Sequence, residues 1–409
     1  MKKTILILLT MTAAASAQNI YVDDDAVGMG SGTITDPYRT VEQAVNQSNG
    51  LSTRATIWVA PGTYRVDNPI PIERTVVLRG STVLVKDTYG PTGVIQSGET
   101  RIVGTSSLGA RPLITVGKSG QVISNVEIRD LVLAAEAAIG GVLELKRVQN
   151  AYVHDNLLLG TTNLAFSTPG LSTYATSGVL QNLYMSGLLG GAFLSGGYAT
   201  SPANLSVLNI RAMANRNGIL LVGTSDGITE PGNQLTVSLV NSEMSNNTGN
   251  VASTGLRLLV KGNEALGNTG LSNSTITASM SGNRIVGNTI GLVVDAGFPY
   301  RLVPPAANNV CDNRTFRGTI TASFAGTTTS GNLTPSMITT GRLQQVLGAT
   351  PISQWQYLHN SNFTISDSNG AFANVQITKP FNDPYTGPCP NDTTQEALND
   401  LLILNGMIK

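Results

Sequence analysis

Charge is what this 409-residue sequence has least of. Charged residues make up 12% of it, half of the roughly 25% usual for a soluble domain. Lysine plus arginine balance aspartate plus glutamate at 25 each. That balance excludes a nucleic-acid binder working by phosphate neutralisation and an acidic solvating tail. With two histidines and two cysteines, no four-ligand zinc site is expected, and no metal is assigned. No segment approaches eighteen consecutive apolar residues, so no transmembrane segment is expected. Glycine, at 44 residues, and asparagine, at 35, fill the gap left by charge. Hydrophobic residues at 41% still allow a large core.

Residues 1–17 read MKKTILILLTMTAAASA. Lys2 and Lys3 form a positive start, Ile5 to Leu9 begin a short apolar stretch, and Ala15-Ser16-Ala17 is a small-residue cleavage site. The pattern is that of a secretory signal peptide and implies a secreted, periplasmic or cell-surface protein. An exported chain can keep disulfides. Cys311 and Cys389 are the only candidates. Both sit in Pro- and Asn-rich loop sequence, which favours a bridge between them over two free, buried thiols.

Repeats organise the rest. Residues 275–288, TITASMSGNRIVGN, and 319–332, TITASFAGTTTSGN, are two copies of one unit. A looser unit, Asn followed by alternating apolar positions, starts at Asn125, Asn150, Asn182 and Asn204. Such alternation marks a strand buried on one face, and the Gly, Asn and Ser that end each unit tolerate left-handed turns. Strands recurring at these intervals bury their apolar face only by stacking, coil upon coil. Buried Asn at equivalent turns can bond between coils, a role expected of Asn247, Asn268, Asn288 and Asn332. An antiparallel sandwich would need hairpin turns at shorter spacing.

The ends depart from the repeat. Residues 40–49, TVEQAVNQSN, place Thr40 and Gln43 in capping-box spacing and Val41, Ala44 and Val45 on one helical face. A short helix there would cover the open end of the first coil. Toward the other end, residues 335–348 read as a helix, Asn369-Gly370 as a hairpin turn between FTISDS and AFANVQI, and 393–404 as a last helix. The expected division is therefore a signal peptide (1–17), an N-terminal strand and capping helix (18–54), a parallel β-helix (55–332) and a mixed C-terminal cap (333–409).

The segment IYVDDDAVGMGSGTITDPYRTVEQAV, followed by ATIWVAPGTYRV, resembles the opening of secreted right-handed parallel β-helix proteins of the pectin-lyase-like superfamily. Tyr21, Val22, Gly32, Thr33, Pro37, Tyr38, Thr40, Val41, Ala44 and the Pro61-Gly62-Thr63-Tyr64 run carry the likeness. It implies an all-β, right-handed solenoid. The superfamily holds lyases, hydrolases, tailspikes and adhesins, so the fold alone leaves function open. Its lyases use a Lys or Arg base, and its hydrolases clustered Asp residues. Neither pattern transfers cleanly, because the acids of residues 156–294 are unpaired along the sequence and glycoside hydrolysis needs two carboxylates.

One stretch concentrates charge: residues 127–155 hold nine ionisable side chains. Aligning the units at Asn125, Asn150 and Asn182 puts Glu127, Tyr152 and Tyr184 in one outward column and Arg129, His154 and Ser186 in the next. Outward tyrosines beside Arg129 and His154 suit a glycan held by apolar face contact and hydrogen bonds; a solvated ion-pair face is the competing reading. Asp23, Asp24, Asp25 and Asp36 form a second acidic group whose oxygens would suit Ca²⁺, but EF-hand spacing is absent and no cofactor is indicated. The functional expectation is an exported protein binding an extracellular polysaccharide or cell-surface component without turnover. The alternative is a polysaccharide lyase acting on uronate polymers, with Arg129 or Lys146 as base and His154 assisting.

Overall fold

A computed structural model describes residues 18–160, 167–197, 202–224, 233–249, 253–262, 273–299, 315–339, 358–367 and 379–384. Residues 1–17, both cysteines, Asn268 and the expected helix at 393–404 lie outside them. No helix among the described residues is long and apolar enough to cross a membrane.

The chain is a parallel β-helix. Two long sheets are each built from strands far apart in sequence that pair in parallel with the preceding and following coil. The strands at Glu127–Arg129, Ala151–Gly160 and Gly178–Ser186 pair in parallel, one on the next, as the stacked-coil reading requires. Parallel neighbours lie about 4.8 Å apart, so equivalent residues form columns. One inward column runs Ile20, Ile57, Leu78, Ile128, Val153, Leu180, Val207, Leu239, Met280 and Phe324. Every member is buried. The two TITAS copies lie one upon the other, Thr275 on Thr319 through Ser281 on Ala325.

Parallel pairing extends on both sides of residues 55–332. Gln18–Val22 pairs with Ala55–Val59, and at the far end Leu358–Asp367 pairs with Thr315–Ala325. The helix Val41–Asn49 closes the front, with its Thr40–Gln43 capping box formed and Val41, Ala44, Val45 and Ser48 buried. Asn49 ties it to the second sheet, donating to the Pro71 carbonyl and accepting from the Glu73 amide. One expectation at the other end is corrected. Residues 334–339 form a strand paired with Ile290–Pro299, where a helix was expected over 335–348; each coil must cover the edge of the one before it, and this overrides local helical spacing. The expected Asn369-Gly370 turn and AFANVQI lie outside the described residues; Leu358–Asp367, which holds most of FTISDS, pairs antiparallel with Lys379–Pro384.

The corners between strands use left-handed backbone. Asp130, Asp155, Asn182, Asn209 and Asn241 have φ of 58°, 56°, 52°, 53° and 47°, a conformation that Asn and Asp accept more readily than other residues with side chains. A second corner is buried. There the Nδ2 of Asn215, Asn247, Asn288 and Asn332 donates to the carbonyls of Met185, Ala212, Met244 and Ile285 at 2.9–3.1 Å. The Oδ1 of Asn247, Asn288 and Asn332 accepts the backbone amide of Asn215, Asn247 and Asn288 at 2.9–3.0 Å. Asn247, Asn288 and Asn332 were expected at such turns; Asn215 extends the ladder by one coil.

Asn288→Ala should cost about 2–3 kcal/mol, because it leaves buried amides of Asn247 and the Met244 carbonyl without partners. Denaturant unfolding followed by circular dichroism measures this. The exposed Asn204→Ala should stay within about 0.5 kcal/mol of the parent.

Candidate functional site

The outer face of the first sheet carries two neighbouring columns over its N-terminal coils. One runs Trp58, Arg79, Arg129, His154 and Gln181, one residue per coil. The other contains Glu127 and Tyr152. Alternation dictates this: Ile57, Leu78, Ile128, Val153 and Leu180 turn inward, so the residues beside them turn out.

Contacts tie the columns together. The Tyr152 and His154 rings stack with centroids 4.0 Å apart and planes inclined 24°. The Tyr152 hydroxyl donates to Gln181 Oε1 at 3.2 Å. His154 Nδ1 lies 2.7 Å from Asp155 Oδ2, and its Nε2 lies 3.6 Å from Glu127 Oε1. Arg129 sits between Glu127 (2.9 Å) and Asp130 (3.3 Å). Arg79 reaches Asp130 at 3.5 Å and lies over the Trp58 ring, 4.5 Å from its centroid. Arg54 pairs with Glu127 at 3.3 Å. Four of the five glycan-binding candidates, Glu127, Arg129, Tyr152 and His154, thus form one patch.

Tyr184 does not join them, and the three-unit alignment is corrected. Tyr184 pairs with Leu157, while the column of Tyr152 continues to Val179. Asn182 occupies the corner of Asp130 and Asp155, not that of Asn150. Both corners of a coil use left-handed residues followed by inward–outward alternation, so the sequence pattern fits either register. Tyr184 instead packs beside Leu84, Val132, Leu157, Ile95 and Leu159.

That apolar cluster is roofed by an antiparallel hairpin, Val83–Asp87 with Gly90–Ser97, which lies across several coils. Its end comes so close to the Asn209 turn that a Cβ on Gly90, whose φ is +100°, would fall 2.0 Å from the Asn209 carbonyl oxygen. Lys86 pairs with Asp155. Asp87 takes two contacts from Arg211 Nη2 at 2.7 and 2.9 Å, and Arg211 also meets Glu243 at 3.2 Å. The hairpin therefore borders the patch and is latched at one side by Asp155, the residue that orients His154.

These contacts divide the carboxylates. Burial works to raise Asp155, but hydrogen bonds from His154, Lys86 and Asn182 outweigh it and hold the group at about 2. Burial raises Asp130, and the charge of Asp155 adds to the rise against Arg129 and Arg79. Partial burial likewise works to raise Asp87, but hydrogen bonds from Arg211 and the Tyr89 amide outweigh it, and the group ends below its ordinary value. Lys146, the other base considered, lies on the second sheet in a strand paired with Pro169–Tyr174 and bonds Glu144 at 2.9 Å. It shares no surface with Arg129.

Sequence reasoning missed Trp58, Arg79, Lys86 and Gln181. Trp58 and Arg79 were findable, since each follows an inward residue of a strand, Ile57 or Leu78. Lys86 was not, because only the hairpin's path brings it to Asp155. In the acidic group, carboxylate oxygens of Asp23, Asp24 and Asp25 lie within 4.8 Å of one another. Two of the three cap turn amides: Asp24 accepts from Thr63 at 2.8 Å and Asp23 from Asp25 at 3.0 Å.

No family model matches the chain, and no curated protein matches it significantly. Among solved structures it is similar to Geobacillus virus E2 ORF18 at 12% identity and a TM-score of 0.38, over 85% of this chain and 62% of that one. It is similar to a rhamnogalacturonan lyase at 12% identity and a TM-score of 0.38, over 75% and 74% of the two chains. For a pectate lyase, Pel9A, the values are 11% and 0.27, over 91% and 89%. The chain spans less than two thirds of the viral protein's length. The assignment of the parallel β-helix rests on the strand pairing of this chain itself.

Asp155 should govern acid stability. Its carboxyl is depressed on folding, so its stabilisation of about 2 kcal/mol is complete above its unfolded pKa of about 3.9 and is lost as pH falls through about 2. Asp155→Asn should lower stability at pH 7 and close the gap to the parent near pH 2, measured by denaturant titration across that range.

Proposed function

We propose that this is an exported β-helix protein that binds an extracellular polysaccharide on the outer face of its first sheet, without turnover. The observation that carries the reading is the column Trp58, Arg79, Arg129, His154, Gln181 with Tyr152 stacked beside it. It offers an apolar ring, guanidinium forks and an amide, with the buried His154 supporting the exposed Tyr152 ring. A sugar chain lying across the coils would meet aromatic faces through its C–H surfaces and fork-shaped donors through its hydroxyls or carboxylates.

Lyase chemistry finds less support in the geometry. The Arg129 guanidinium is engaged by Glu127 at 2.9 Å and Asp130 at 3.3 Å, so nitrogens that a base would aim at a substrate proton face its own carboxylates. Lys146 stands on the other sheet, away from His154.

Affinity electrophoresis against soluble uronate and neutral polysaccharides tests the proposal. Retardation by at least one polymer is expected, weakened about tenfold or more by Tyr152→Ala or Arg129→Ala, each removing a contact of the order of 1–2 kcal/mol. Tyr184→Ala should leave binding unchanged, because that ring lies under the hairpin. Unsaturated product formed from a uronate polymer would favour the lyase instead.

A further inference from the structure

The same sheet face changes character beyond residue 200. Two outward columns run in unbroken register over four strands, Ala203–Leu208, Gln234–Val240, Asn273–Ser281 and Thr315–Ala325. The first is Asn204, Thr236, Thr277 and Thr321; the second is Ser206, Ser238, Ser279 and Ser323. The register positions continue to Thr364 and Ser366 in the next strand. All eight described side chains are exposed except Ser238, which is half-buried. The residues between them, Leu205, Val237, Ala278 and Ala322, are buried, so the grid is seated on the core. Among the described residues, no protein group bonds the hydroxyls of Thr236, Ser238, Thr277, Ser279, Thr321 or Ser323.

The grid has two periods. Hydroxyls repeat about every 4.8 Å from coil to coil and about every 6.6 Å along each strand. Threonine is β-branched, so the methyl and hydroxyl of its column hold few rotamers. The two columns contain no ionisable side chain and no aromatic ring. Within these two columns a polyanion would find no cation, the exposed Arg284 standing on the next strand segment of the sheet, and a sugar would find no stacking platform of the kind present at Trp58 and Tyr152. What such a surface matches is an uncharged partner that is itself a rigid two-dimensional lattice of hydrogen-bonding oxygens. The coil repeat is close to the oxygen repeat in the basal plane of ordinary ice. Water held by successive hydroxyls, and ordered over the methyls between them, would sit in positions continuous with that lattice.

We propose that the Thr/Ser face over residues 204–323 binds ice. This is independent of the polysaccharide patch, which uses other residues of the same sheet. The test uses the full secreted chain, with ice shaping and thermal hysteresis read in a nanolitre osmometer and ice recrystallisation followed by microscopy. The parent should shape ice crystals and open a gap between melting and growth. The double variant Thr277→Lys with Thr321→Lys plants two charged stems on the grid without touching the core. It should melt like the parent by circular dichroism yet lose both effects. Ser279→Lys, in the neighbouring column, is the second variant and should act the same way if the double variant does not fold. Arg129→Ala should keep full ice activity, which separates this proposal from the polysaccharide reading. A parent that neither shapes ice nor slows recrystallisation would overturn the proposal, as would undiminished activity in a folded lysine variant.

Discussion

Every coil of this protein depends on the next one for its hydrogen bonds. A strand in a parallel stack has no hairpin partner of its own, so its amides and carbonyls are satisfied by chain that arrives 20 to 50 residues later, as Ala55–Val59 is by Val76–Arg79 and Glu127–Arg129 by Ala151–Gly160. Turns pose the harder demand, because the inner corner is sealed from water. The Asn215–Asn247–Asn288–Asn332 ladder meets it with a side chain that both donates and accepts. The abundance of asparagine and the scarcity of charge follow from this one requirement. So does the columnar surface, since stacking in register repeats each outward position once per coil.

The outer face of the first sheet shows what can be built on such columns. Over the first coils it carries Trp58, Arg79, Arg129, His154 and Tyr152 in a network whose carboxylates bind their cations closely; over the later coils two of its columns carry small hydroxyl and amide groups. The hairpin Val83–Gly90–Ser97 stands beside the first region. Its Leu84 and Ile95 cover Leu157 and Tyr184, while Lys86 and Asp87 reach ionic partners on the coils beneath. At Asp155 the hydrogen bonds outweigh the cost of desolvation, and the arrangement is also positional: Asp155 is shared between the hairpin and His154, so the hairpin's seat and the imidazole's orientation are coupled.

The fold was legible because its signals are local. Period-two alternation, Gly and Asn at turns and the repeated TITAS units identify stacked strands, and Thr40 with Gln43 identifies the helix that closes the front. The site was legible in part, for the same reason. Glu127, Arg129, Tyr152 and His154 fall within two adjacent coils, 25 residues apart, whose alignment is unambiguous. Tyr184 lies one coil further on, and there the alignment fails. Asn182 resembles Asn150 in sequence but sits at the other corner, opposite Asp155, and the alternation is the same at both.

The sequence by itself determined the strands, their inward and outward faces, the coil-stacking architecture and the helix over its front end. These depend on residue type and on periods of two and of one coil, which the chain carries wherever it goes. Tertiary structure alone decided which corner each Asn occupies and how the hairpin crosses the stack. It also decided that Trp58, Arg79 and Lys86 join residues up to 69 positions away. Those outcomes depend on register between coils, and register is set by how the whole stack satisfies its buried backbone, a sum to which no single segment holds all the terms.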